Sequence, residues 1–240
     1  MPLAPRVRGT GGSADRYVSS AFAPTQPLPD WLRSFPEHQR TRWTPVVPDR
    51  EDGSVRTGET ADLEIAWPLS DSRLTIRPAS VADADAFFEY QRRPEGQRYI
   101  SRIPATIEGA RAMVAERSST AGELLCAIVV DGQVVGDIGG RRYRPGSLGP
   151  EPQAWDFRLG YSVHPGMWGK GVASGAVALL VPALHHQAGI RRIVAKVFAD
   201  NQASIRVLVK NGFRLEGTER AAVLGRDGGW LDDCTLAHLS

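Results

Sequence analysis

The chain has 240 residues, 42% of them hydrophobic and 23% charged, which suits one well-buried core with an appendage. Its formal net charge of +2 is too small to imply nucleic-acid binding. No stretch approaches the ~18 consecutive apolar residues of a membrane span, and the first 20 residues have no apolar signal core, so a cytoplasmic location without membrane contact is expected.

Residues 1–72 read as a Pro-rich, partly disordered N-terminal extension, since nine of the 17 prolines lie there. Within it Asp30 is placed to cap a short helix through Trp31, Leu32 and Arg33, and Trp31, Phe35 and Trp43 are candidates to dock on the next domain. The extension carries eight arginines against ten acidic residues, whereas residues 73–240 carry 21 basic against 17 acidic, a mildly basic balance that suits an anionic cofactor.

From Arg73 onward strand and helix signals alternate. Leu74-Thr75-Ile76 predicts a strand ending at Pro78; Ser80 and Asp83 then start a helix through Ala84, Phe87, Phe88 and Gln91 that Pro94 stops. A second helix is predicted from Thr106, with Glu108 in its first turn. Residues 123–130 and 133–139 are apolar runs joined by Asp131-Gly132, a dipeptide that tolerates the positive φ of a tight hairpin. Residues 155–163 predict a strand, followed by a glycine-rich loop and a helix from about Gly171 to Gln187, capped by Gly189 and kinked at Pro182. A strand over 192–198, a helix over 202–211 ended by Gly212, and two closing strands around Gly225 to Gly229 complete a β-α-α-β-β-β-α-β-α-β-β order, an α/β fold. Cys126 and Cys234 both fall in apolar runs, and two cysteines provide neither a disulfide framework nor a four-ligand zinc site, so no metal is expected.

A strand leading through Gly166, Gly169 and Gly171 into a helix makes an anion site, because helix-start N–H groups point outward and absent side chains let a phosphate approach. Three other readings compete for it. A nucleoside-triphosphate loop requires a hydroxyl after the lysine, which Gly169-Lys170-Gly171 lacks. In a dinucleotide-binding fold the third glycine would fall on Ser174, and antiparallel hairpins precede the unit. The last is a tight turn without a ligand.

Met167-Trp168-Gly169-Lys170-Gly171-Val172-Ala173 resembles motif A of the GNAT acetyltransferases, with Trp168 at the Arg/Gln position. Asn201-x-x-Ser204, then Lys210-Asn211-Gly212-Phe213, is similar to the second block of the ribosomal-protein N-terminal acetyltransferase (RimJ/RimL-like) subgroup, and Leu159-Gly160-Tyr161 matches as well. The resemblance covers residues 73–240 and implies a GNAT fold: a mixed, mostly antiparallel seven-stranded sheet, flanked by about four helices and splayed between the fourth and fifth predicted strands, 155–163 and 192–198. It also implies acetyl-CoA as cosubstrate and direct acetyl transfer to a primary amine, on a protein N-terminus or a small molecule, by a monomer or homodimer.

By the same resemblance, Val163 contacts the pantetheine arm, the loop of Met167, Trp168, Gly169, Lys170, Gly171, Val172 and Ala173 holds the pyrophosphate, and Asn201 and Ser204 lie along the arm. Leu208 stands where many relatives place a tyrosine acid, so Ser204 is the candidate near the sulfur. Arg158 stands where relatives often carry glutamate, and Ala222 replaces another acid. Asp156, two residues before Arg158 and on the same strand face, is therefore the candidate base or an ion-pair partner of Arg158. With no obvious base, an α-amine of pKa ~7.7–8.0 is an easier acceptor than a lysine amine near ~10.4, and Arg158 would favour an acceptor carrying negative charge. The same departures leave open a CoA-binding domain without catalysis. His185 and His186 read as helix-end residues, Arg141, Arg142 and Arg144 as surface, and Tyr161 and Trp230 as packing aromatics.

Overall fold

The computed structural model describes residues 63–100 and 102–240, so the helix read at Asp30 and the docking of Trp31, Phe35 and Trp43 lie outside the described residues. Eight strands form one sheet: β1 Leu69–Ser70, β2 Thr75–Pro78, β3 Glu123–Val130, β4 Gln133–Tyr143, β5 Trp155–Val163, β6 Ile190–Phe198, β7 Arg214–Leu224 and β8 Trp230–Leu239. Their spatial order is β1-β2-β3-β4-β5-β6-β8-β7, and β5–β6 is its parallel pair. The expected mixed, mostly antiparallel sheet is present, with one strand more than the seven expected.

That extra strand precedes Arg73. The Asp71 carboxylate accepts from the backbone N–H groups of Arg73 and Leu74, at 2.7 and 2.9 Å, and so folds Leu69–Ser70 back onto β2. Ile65 is buried and the Ala66 N–H donates to Gln187 Oε1. Ordered contacts are thus made by residues that precede Arg73.

Local chemistry explains most of the helices. The Asp83 carboxylate accepts from the Ser80 N–H and from both terminal nitrogens of Arg77, tying β2 to a 3-10 turn over Val81–Asp83 and to α1, Ala84–Gln91. Pro94 ends α1 and also opens a short helix α2, Pro94–Gln97, because proline gives up no hydrogen bond at a first helical position. The Thr106 hydroxyl caps α3, Ile107–Ser119, by accepting from the Gly109 N–H. Helix α4, Val172–His186, runs through Pro182, and α5 spans Gln202–Lys210.

In β3 and β4, Asp131 and Gly132 both adopt left-handed φ, +49° and +75°, the conformation the sequence reading required of this hairpin. One face of β3 and β4 packs under α1 and α3 through Phe87, Tyr90, Ala110, Val114, Leu125 and Ala127. On the other face α4 buries Ala176, Val177, Leu180 and Leu184. Strand alternation then divides β5: Phe157 and Leu159 are buried, while Arg158 and Gly160 are exposed.

Candidate active site

The β5–β6 ladder runs from Trp155 paired with Ile190 to Arg158 paired with Val194, where its rungs end. Both strands continue, β5 to Val163 and β6 to Phe198, so their later residues border a gap in the sheet. Unpaired backbone amides along such a gap are an edge that an extended, amide-bearing chain can join.

At the end of β5 the chain turns into α4. Gly169 and Gly171 adopt φ of +74° and +79°, which side chains other than glycine rarely take, and a Cβ built on Gly169 would meet nothing within 4 Å. Gly171 is the N-cap of α4, so the first-turn N–H groups face outward. The Met167 N–H donates to the His164 carbonyl and the Trp168 N–H to that of Pro165, so both residues build the turn that leads into α4. The Trp168 indole N–H donates to the Val163 carbonyl at 2.8 Å and ties the loop to the end of β5. Lys170 is exposed, its ammonium 3.7 Å from the Met167 sulfur.

Across the gap, the Asn201 side chain accepts from the Ser204 N–H at 3.2 Å, which makes it the cap of α5. The Ser204 hydroxyl is directed away from its own helix: its Oγ lies 2.7 Å from Tyr161 Oη on β5. Burial pushes the Tyr161 hydroxyl up to about 12. Tyr161, expected only to pack, thus shares the position of Ser204.

The Asp156 carboxylate, 5% exposed, accepts two hydrogen bonds from Arg191 at 3.1 and 2.9 Å and so braces the paired end of β5 and β6. A further carboxylate on this sheet is Asp233 of β8. Register places Phe198, Asp233 and Glu219 side by side, with Lys196 and Thr235 as the next rung on the same face. Asp233 is buried, with Lys196 3.8 Å away, and desolvation raises its carboxyl above the usual range, an effect that Glu219 reinforces and that Lys196 and Arg158 oppose. Lys196 also donates to Glu219 at 3.0 Å. This charged cluster, with Arg158, occupies the face opposite the Tyr161–Ser204 pair.

The segment after α2 rims that face. Arg98 donates to Asp200 at 2.6 Å, the Tyr99 ring lies 6.0 Å from that of Phe198, and the Ile100 carbonyl accepts from Arg226. Gly160 lies on the same face, and a Cβ built there would meet nothing within 4 Å. The gap therefore has a hydroxyl pair on one side and an open, charged floor on the other.

The family model "Acetyltransferase (GNAT) domain" matches residues 73–214, more than half of the chain. The chain belongs to the GNAT acetyltransferase family. It is an N-acetyltransferase that uses acetyl-CoA and transfers acetyl to an amine. Among its relatives, the uncharacterized N-acetyltransferase p20 of Bacillus licheniformis is 28% identical over 158 residues, covering 63% of this chain and 85% of the relative. The L-amino acid N-acetyltransferase AaaT of Escherichia coli is 27% identical over 173 residues, 70% of this chain and 99% of the relative. A GNAT-family acetyltransferase structure from Bacillus anthracis, 24% identical, superposes with a TM-score of 0.60 over 72% of this chain and 98% of its own. Mycobacterium smegmatis RimJ, solved in complex with CoA-disulfide, is 21% identical and matches in fold with a TM-score of 0.62 over 74% of this chain and 88% of its own.

As a GNAT domain, the chain fits its cosubstrate on its own geometry. Two left-handed glycines and a helix start suit a diphosphate, and the opened β5–β6 edge suits a chain of amides. A doubly wound dinucleotide fold is ruled out, because β2 through β5 pair antiparallel in sequence order. His185, expected at a helix end, sits there but is buried, bonding the Ile190 carbonyl and His238. Among the described residues no cluster of ligating side chains could hold a metal, and no helix is long and apolar enough to cross a membrane.

Proposed function

We propose that the acceptor is an α-amine, of a peptide N-terminus or a small molecule, that enters over Gly160 on the charged face and takes acetyl directly, with no covalent enzyme intermediate. The observation carrying this reading is the ion pairing of the nearby carboxylates, Asp156 by Arg191, Glu216 by Arg192 and Glu219 by Lys196, with the desolvated Asp233, 3.8 Å from Lys196, as the candidate proton acceptor. An α-amine with pKa ~7.7–8.0 is already partly neutral near pH ~7.5 and needs little help from a base, whereas a lysine amine near ~10.4 is almost wholly charged.

In this reading acetyl-CoA supplies the activated thioester. The N–H groups of Gly169 to Ala173 and the Lys170 ammonium hold its anionic end, and Asn201 caps α5 so that Ser204 faces the gap. Asp233, raised by desolvation, accepts the amine proton, directly or through water, and Arg158 gives the acceptor cleft a cation suited to an acceptor carboxylate. The test is a comparison of acetyl-CoA turnover, followed as released thiol, on peptides with a single α-amine and on Nα-blocked peptides with a single lysine. The reading predicts at least ~10-fold higher kcat/KM for the α-amine peptides or free amino acids near pH ~7.5. Equal or better lysine turnover would overturn it.

A further inference from the structure

Beyond the last β5–β6 rung at Arg158, a side-chain bridge links β5 to α5. Tyr161 Oη lies 2.7 Å from Ser204 Oγ and 3.2 Å from the Ser204 carbonyl oxygen. Both residues are fixed by other contacts: the Ser204 N–H is bound by Asn201, and Tyr161 sits in β5, its backbone opposite Ile138 of β4. Tyr161 has a single proton, so it can donate to the carbonyl or to Oγ. When it donates to Oγ, the serine proton must point elsewhere.

The geometry points to Tyr161 as the positioning residue of Ser204: its O–H donates to Ser204 Oγ and thereby turns the serine O–H into the β5–β6 gap, where it donates to the cosubstrate sulfur. The inference rests on the acetyl-transfer reading. As the amine nitrogen bonds the acetyl carbon, the carbon–sulfur bond breaks and its electron pair stays on sulfur. The serine hydrogen bond, strengthened by Tyr161, stabilises that thiolate. The amine's surplus proton leaves on the Asp233 face and reaches the thiolate through solvent, so that amide and CoA thiol are the products. No proton passes from Tyr161 to sulfur, because its hydroxyl, at about 12, holds its proton far more tightly than a thiol of ~8.5. Tyr161 and Ser204 act as donors and remain protonated throughout.

The test titrates the thiol of CoA bound to the full chain by its ultraviolet thiolate absorbance, in wild type, Tyr161→Phe, Ser204→Ala and the double variant. A donor to the charged form lowers a pKa, so the wild-type bound thiol should titrate below free CoA, and Tyr161→Phe should raise it by roughly 0.5–1 unit. The same variant should lose roughly 3- to 10-fold in kcat with KM for acetyl-CoA changed less than about twofold, the mark of an interaction made in the transition state. In the Ser204→Ala background Tyr161→Phe should add nothing, since its effect passes through Ser204. Should Tyr161→Phe misfold, Ser204→Ala alone must still raise the bound thiol by at least the same shift. Equal bound-thiol titration in wild type and both single variants overturns the relay while leaving the acetyltransferase reading intact. Failure of the wild type to bind CoA overturns both.

Discussion

Replacing Asp156 by Asn keeps the side chain's shape and removes the charge that Arg191 holds. The carboxylate is 5% exposed and the guanidinium 46% exposed, joined by bonds of 3.1 and 2.9 Å. Losing one partner of a fully buried pair costs about 3–5 kcal/mol. Here the half-exposed Arg191 can regain water, and the Asn oxygen keeps one acceptor, so about 2 kcal/mol is the expected loss. For a folded unit of this size, in which each kcal/mol moves Tm by about 2–4 °C, that is a fall of about 4–8 °C. Thermal melts by circular dichroism and initial rates by thiol release measure the two sides: Tm should drop while kcat/KM stays within about threefold. An unchanged Tm with a ~100-fold loss of kcat would show that Asp156 is the base and that its bracing role is wrong.

Gly171→Ala should cost about 1–2 kcal/mol in denaturant stability, because φ of +79° is strained for a residue with a Cβ, and should weaken CoA binding about tenfold by calorimetry as the turn shifts. For Asp233, whose carboxyl is raised and must be ionised to take a proton, kcat/KM should fall as pH drops through that raised value. Asp233→Asn should remove this acidic limb and lower the plateau by ~100-fold with Tm nearly unchanged. His238 titrates below its usual value because burial, and then the neighbouring His185, disfavour its charge. The unfolded chain therefore binds the proton first, so stability falls as pH drops through ~6.5, and His238→Gln should flatten Tm between pH ~7.5 and ~5.5.

Features encoded locally were legible in the sequence. Asp131-Gly132, the Thr106 cap and the Gly169–Gly171 turn each specify conformation within a few residues, and the structure places all three where the residues require. The splay between strands 155–163 and 192–198 came from motif resemblance and is visible in the ladder that ends at Arg158. Contacts set by tertiary register were not legible. Arg191 reaches Asp156 across 35 positions, and Ser204 meets Tyr161 across 43. β1 has two residues, too few to show any periodicity. Asp233 carried a faint signal, since Asp233 and Thr235 alternate with Cys234 in a strand, but its value depends on Lys196 and Glu219 arriving from β6 and β7.

Amide hydrogen exchange with and without CoA, read residue by residue, tests most directly whether the cosubstrate lies along α4's start and in the β5–β6 gap. Slowed exchange should be confined to Gly169–Ala173 and to the gap-bordering amides of 159–163 and 195–204, with the β3–β4 turn at Asp131-Gly132 unchanged. Protection concentrated elsewhere, with 169–173 exchanging at the rate seen without CoA, would contradict the site.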